Sequence, residues 1–216
     1  MKNGTVTGDI TVTPTAYTIG AAIVTKAGSA TDAMVKAVSG LIQVTPDSTG
    51  ETWFVNDAGQ LTKYAIKNGD KSYINFSDAV KEAKDNDTLT LMENVSVSST
   101  ITFDKSLTIT STKAVEISGN ISGANMFEVV SGNTLKITGA SDSAKITVKK
   151  DSAKNVINNK GTVELDYVII DGGRLGINNA SGTLQLNHTT VQNTSNKGIA
   201  VADGTATIKN STIQNT

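Results

Sequence analysis

Gly161-Thr-Val-Glu-Leu-Asp-Tyr-Val-Ile-Ile170, Gly182-Thr-Leu-Gln-Leu-Asn-His-Thr-Thr-Val191 and Gly204-Thr-Ala-Thr-Ile-Lys-Asn-Ser-Thr-Ile213 are one sentence written three times, with starts 21 and then 22 residues apart. Two and four residues after each glycine stand Val163 and Leu165, Leu184 and Leu186, Ala206 and Ile208. Apolar residues at period two mark strands. Nine after the glycine comes Ile170, Val191 or Ile213, and a third apolar position, Ile177 or Ile199, precedes the next glycine. Three short alternating runs in about 22 residues predict three strands per coil. The runs are too short for helices, and the copies repeat head to tail, so each strand must pair in parallel with its own copy. Such a coil cannot bury its apolar face alone and stacks on its neighbours as a β-solenoid.

Stacking also accounts for the polar residues. Val191-Gln-Asn-Thr194 and Ile213-Gln-Asn-Thr216 match across one coil, which predicts Gln on Gln and Asn on Asn, since side-chain amides satisfy one another along a stack. Asn158-Asn159 and Asn178-Asn179 lie near the ends of the third run and read as turn residues, where left-handed backbone is useful.

Working back from the repeat, Val95/Val97, Ile101/Phe103, Leu107/Ile109, Val115/Ile117, Phe127/Val129, Leu135/Ile137 and Ile146/Val148 are alternating pairs separated by turn residues. Asn133-Thr-Leu-Lys-Ile137 aligns with Gly161-Thr-Val-Glu-Leu165, with a lateral loop at 141–145. Residues 88–216 at about 22 per coil give about six coils and a core about 28 Å long at the strand spacing. Before them, Phe76, Ala79, Val80 and Ala83 stand at helical spacing, with Asn75 or Ser77 as N-cap, Asp78 in the first turn and Lys81 and Lys84 later; those charges suit the helix dipole. This helix is expected to cap the first coil. Trp53-Phe-Val55 and Leu61 to Ile66 flank Asn56-Asp-Ala-Gly59 and predict a hairpin, and Asn68-Gly-Asp70 predicts a second turn. Residues 1–50 form a small α+β or β segment: strands at 5–13, 17–24 and 41–45, and a short helix at 30–38 capped by Thr31 or Asp32 and ended by Gly40. The expected organisation is 1–50, 51–87 for hairpin and cap helix, and 88–216 for the parallel β-helix.

Tyr64-Ala-Ile-Lys-Asn-Gly-Asp70 through Phe76-Ser-Asp-Ala-Val-Lys-Glu-Ala83, Asp87-Thr-Leu-Thr-Leu91 and Lys105-Ser-Leu-Thr-Ile109 resemble the opening of right-handed parallel β-helices of the pectate-lyase-like superfamily, and most closely the repeat regions of large bacterial cell-surface proteins and adhesins. The resemblance covers residues 52–216. It implies a right-handed coil, but the superfamily holds polysaccharide lyases, glycoside hydrolases, phage tailspikes and non-enzymatic adhesins, so it does not choose a function.

Composition narrows the choice. The net charge is −1, aromatics are 4%, there is no Cys, and Arg174 is the sole arginine among 19 basic residues. Nucleic-acid binding leans on a concentrated basic surface with stacking aromatics, and neither is present. No apolar run approaches the 18 or so residues of a membrane span, and Met1-Lys-Asn-Gly-Thr-Val-Thr7 lacks the apolar core of a signal peptide. Thr216 falls in mid-coil, just after a second strand, which favours a piece of a longer secreted or wall-attached chain over a cytosolic protein.

For catalysis the best acidic pair is Glu164 and Asp166, on the outward side of one strand and about 6.6 Å apart, within reach of an inverting glycosidase pair. The competing reading is a solvated surface: Lys136 and Thr138 should stack on one side of the pair and Gln185 and Asn187 on the other, followed by Thr207 and Lys209, with no carboxylate repeated. Asp171 is the third acidic candidate, in the turn Asp171-Gly-Gly-Arg174, where Arg174 meets a sugar or carboxylate or pairs with Asp171. His188, the only histidine, aligns with Tyr167 and Asn210 and lacks a second His or Cys for a metal. Asn193 and Asn215 complete the ligand-binding candidates. No phosphate loop, zinc spacing or Ser-His-Asp set is present, so no metal or cofactor is expected. The expectation is a non-enzymatic extracellular stalk or adhesion module that meets glycans or host proteins; the alternative is a fragment of a polysaccharide lyase, glycoside hydrolase or phage-type receptor-binding fibre.

Overall fold

The computed structural model describes residues 64–151 and 153–216 and, before them, the strands at 5–6, 23–24, 42–44, 53–55 and 61–63. The chain divides into two units, Met1–Tyr64 and Ala65–Thr216. In the first, β1 (Thr5–Val6), β2 (Ile23–Val24), β3 (Ile42–Val44), β4 (Trp53–Val55) and β5 (Leu61–Lys63) form one sheet in sequence order. β1 and β2, and β2 and β3, pair in parallel; β3 with β4 and β4 with β5 are antiparallel. The strands expected at 53–55 and 61–66 thus form the predicted antiparallel pair, the second ending at Lys63. The helix expected at 30–38 lies outside the described residues.

The second unit opens with the hairpin β6 (Ile66–Asn68) and β7 (Lys71–Tyr73), then α1 (Phe76–Glu82). Gly69 takes a left-handed φ of 57° at the first position of the two-residue loop between the strands, where hairpin turns favour glycine. Next come β8 (Thr88–Leu91), β9 (Val95–Val97), β10 (Ile101–Phe103), β11 (Leu107–Thr110), β12 (Val115–Gly119), β13 (Phe127–Val129), β14 (Thr134–Thr138), β15 (Ile146–Lys150) and β16 (Ile157–Asn159). The three copies of the repeat supply β17 (Thr162–Asp166), β18 (Val168–Gly172), β19 (Leu175–Asn179), β20 (Thr183–Asn187), β21 (Thr190–Gln192), β22 (Lys197–Val201), β23 (Thr205–Lys209) and β24 (Thr212–Gln214).

From β8 onward the chain visits three sheets in strict rotation. The first sheet runs β7-β6-β8-β11-β14-β17-β20-β23, the second β9-β12-β15-β18-β21-β24 and the third β10-β13-β16-β19-β22. Every pairing from β8 on is parallel, whereas β6 meets β7 and β8 antiparallel. The register is the one the repeat implies: Val163, Leu184 and Ala206 stand side by side, as do Leu165, Leu186 and Ile208, and Ile170, Val191 and Ile213. This is regular parallel stacking of the solenoid kind.

The alternation decides what is buried. Leu89, Ile109, Leu135, Ile137, Val163 and Leu184 are wholly inaccessible, and the inward residues of the three sheets join one hydrophobic cluster. Each such side chain contributes about 1.5–3 kcal/mol. At the α1 end the cluster is aromatic. Phe127 stacks on Phe76 of the helix at 5.9 Å between ring centroids and meets Phe103 edge-on at 5.2 Å. Asn75 is the N-cap, and Phe76, Ala79 and Val80 are the buried face. The helix stops at Glu82, and Lys105 Nζ donates to the free carbonyls of Lys81 and Ala83 at 2.9 and 2.8 Å, a cation satisfying a helix C-terminus.

The repeat glycine has a steric reason. A Cβ on Gly182 would overlap the carbonyl oxygen of Gly161, and one on Gly204 that of Gly182. Those oxygens accept from Thr183 and Thr205 N–H at 2.8 and 3.1 Å, so the column leaves no room for a side chain.

The third-run asparagines are not turn residues. Asn158 and Asn159 lie in β16, Asn178 and Asn179 in β19, paired in register. Asn159 and Asn179 are fully buried. Asn159 Nδ2 donates to Asn179 Oδ1 at 2.7 Å and to the Thr183 carbonyl at 3.0 Å, while Asn179 Nδ2 donates to the Gly182 and Thr205 carbonyls at 2.9 and 3.0 Å. These side chains clasp the corner where the third sheet passes the chain to the first. Left-handed backbone falls elsewhere, at Tyr167, His188 and Asn210, one stacked row, and at Asn193 and Asn215, another. Burial also claims Lys150, 1% exposed, whose ammonium donates to the Ile121 carbonyl at 2.7 Å. Loss of water lowers its pKa from the usual lysine value, against a smaller opposing pull from Asp151.

Candidate functional site

The outward positions of the first sheet build a polar trough. β17 contributes Glu164 and Asp166; Lys136 and Thr138 of β14 stand beside them in register. On the other side come Gln185 and Asn187 of β20, then Thr207 and Lys209 of β23. Outward residues alternate with inward ones along each strand, and one strand per coil makes the rows parallel. These side chains line a depression of about 350 Å3.

One carboxylate is held and one is not. Asp166 Oδ1 accepts from Asn187 Nδ2 at 3.0 Å and lies 3.1 Å from His188 Nδ1. A carboxylate only accepts, so His188 donates through Nδ1. Asn210 Nδ2 in turn donates to Asn187 Oδ1 at 3.1 Å. The His188 ring is stacked on Tyr167, 4.5 Å between centroids and 3° from parallel, because both residues take the same left-handed turn one coil apart. Among the described residues Asp166 Oδ2 and the Glu164 carboxylate have no hydrogen-bond partner, and Thr138 Oγ1 is inaccessible and unpartnered. Lys136 is a neighbour of Glu164 in register but not within ion-pair distance of it.

The other candidates lie on different faces. Asp171 belongs to β18, and only Gly172 and Gly173 after it take the left-handed backbone of the expected turn, at φ 85° and 74°. Its carboxylate accepts from Asn193 Nδ2 at 2.9 Å and Gln192 Nε2 at 3.3 Å. Of the two readings of Arg174, pairing with Asp171 is not the one found: amides from the next coil take that carboxylate, and Arg174 is exposed. Gln214 Nε2 donates to Gln192 Oε1 at 3.1 Å, the predicted Gln ladder, whereas the Asn193 amide goes to Asp171. Asn215 is exposed in its left-handed turn.

The structure thus brings Glu164, Asp166 and His188 together, sets Asp171 with Asn193 on the second sheet, and leaves Arg174 and Asn215 apart from both. Asn187 is the residue that sequence reasoning placed in register without assigning it a bond; its signal was the Asp166–Asn187 match at one repeat position. Chemically the trough offers acceptors at its centre and donors around them. His188 Nε2 bonds no hydroxyl or thiol among the described residues, so no nucleophile is lined up on it, and among them no group of three metal-ligating side chains occurs. No protein-family model, curated protein or solved structure matches the chain.

Proposed function

We propose that residues 88–216 are a right-handed, closed parallel β-helix of about six coils with α1 as its N-terminal cap, and that it serves as a non-enzymatic stalk or adhesion module. Its setting is the outside of a bacterial cell, as part of a surface protein whose polar faces meet glycans or host proteins. The observation that carries this reading is the set of unbroken in-register rows, which gives a stiff scaffold with flat, hydrogen-bonding outer faces. A surface ordered by its own ladders loses little conformational freedom on binding, and that favours recognition. The phenylalanine cluster and Lys105 support the cap, since both tie α1 to the strands of the first turns.

The trough's two carboxylates favour a second reading, a glycan-processing enzyme. One experiment separates the two: the chain is screened on a broad glycan array and against immobilised host surface proteins, while unsaturated product and released reducing ends are followed on the same polysaccharides. Binding without turnover is expected. Turnover abolished by Asp166→Ala would replace the adhesion module with an enzyme, and a trimer in solution would favour a receptor-binding fibre.

A further inference from the structure

We propose that the trough across β14, β17, β20 and β23 is the seat for a neutral, hydroxyl-rich saccharide ring. The proposal rests on the glycan-facing reading above and gives it a place and a ligand class. Size comes first: about 350 Å3 is at the small end of ligand pockets, which span about 300–1,000 Å3.

The polar groups come second. Vicinal hydroxyls need acceptors and donors side by side. Here free carboxylate oxygens, Asp166 Oδ2 and those of Glu164, stand next to the Gln185 and Asn187 amides, with lysines on the outer strands. Asp166 is already oriented by Asn187 and His188 through its other oxygen, so a ligand meets a fixed acceptor. Thr138 and Thr207 also line the trough.

Charge comes third. Lys136 and Lys209 balance Glu164 and Asp166, so the trough is formally neutral, and its negative groups occupy the middle. A uronate ring would bring its carboxylate against them at a cost, whereas a neutral ring meets no such opposition. Burying uncharged hydroxyls against paired donors and acceptors avoids the desolvation that a charged ligand would suffer.

The test uses the full chain in solution, titrated with cellobiose, lactose and maltose and, for comparison, with digalacturonate, while the side-chain amide resonances of Gln185, Asn187 and Gln214 are followed. A neutral disaccharide is expected to move the Gln185 and Asn187 signals and leave Gln214, on the second sheet, in place. Glu164→Gln, which keeps the shape of the side chain, should weaken that binding at least tenfold, and Gln214→Ala should not change it. Tighter binding of digalacturonate overturns the ligand class. A saccharide bound with the trough amides unmoved overturns the seat and leaves the adhesion module standing. If no saccharide binds, the seat fails, and the module is then judged on its binding to host proteins.

Discussion

Asn179 and Asn187 stand eight positions apart and carry the same side chain, yet they serve opposite ends of the molecule's physics. Asn179, at the corner between the third and first sheets, is fully buried and donates to two backbone carbonyls while accepting from Asn159. Asn187, on the outer face of the first sheet, is half-buried and donates to Asp166. Inside, an amide makes up for backbone groups that turn out of the ladder at a corner; outside, it orients a neighbour that faces water. Identical chemistry holds a corner of the core or orders a surface group according to whether solvent can replace the partner.

The sharpest contrast between inside and outside is at the aromatic cluster. Phe127→Ala removes a buried ring in contact with both Phe76 and Phe103, and a loss of about 3–5 kcal/mol is expected in urea unfolding. A loss below about 1 kcal/mol would mean that α1 is not part of the same core, since large-to-small changes that small are found where a site collapses freely.

The amide comparison itself is broken or upheld by Asn179→Ala against Asn187→Ala. The first removes one bond each from Asn159 and from the Gly182 and Thr205 carbonyls in a buried corner and should cost about 1–3 kcal/mol. The second should stay within about 0.5 kcal/mol, as surface changes do. Equal losses in paired denaturation curves would erase the distinction.

A smaller effect sits at the helix end. Lys105→Met keeps the aliphatic stem but loses the ammonium that binds the last carbonyls of α1, and about 0.3–1 kcal/mol should go. Hydrogen exchange of the Ala79 and Ala83 amides should quicken with it; unchanged exchange would show that the lysine only decorates the helix.

The least change is expected in acid. The Asn68 side chain, and then the Lys84 backbone N–H, bond the Asp87 carboxylate and hold its pKa below the ordinary 3.8. With a folded pKa below the unfolded one, its stabilisation is complete above 3.8 and is lost as pH falls through the lowered folded value. Asp87→Asn should therefore flatten the acid side of the stability profile there and nowhere else. A parallel shift at all pH values would sink this assignment.

Much of this could be read from the chain. The period-two runs, the 22-residue spacing and the match of Gly161 with Gly182 and Gly204 determine strands, parallel pairing and register, because a one-residue slip would turn every apolar side chain outward. The same register lined Glu164 up with Gln185 and Asp166 with Asn187. The asparagines at 158–159 and 178–179 were misread as turns because local propensity favours Asn in left-handed backbone, and propensity gives way when tertiary packing offers a buried amide three partners. The partners of Asp171 are hidden for a related reason: they come from the next coil, 21 and 22 residues on, so nothing beside Arg174 in sequence reveals them.

Everything that depends on period is legible in the chain: where the apolar strands run, which of their residues face inward and which copies are neighbours. Three-dimensional packing alone chooses which hydrogen bonds the side chains make once there. It set the Asn159–Asn179 clasp, the choice of Asp166 Oδ1 over Oδ2 for His188 and Asn187, and the Lys105 grip on α1. Periodicity is a property of the backbone and repeats along the chain, whereas a hydrogen bond is settled by distance and burial in three dimensions, where groups some 20 residues apart compete for one atom.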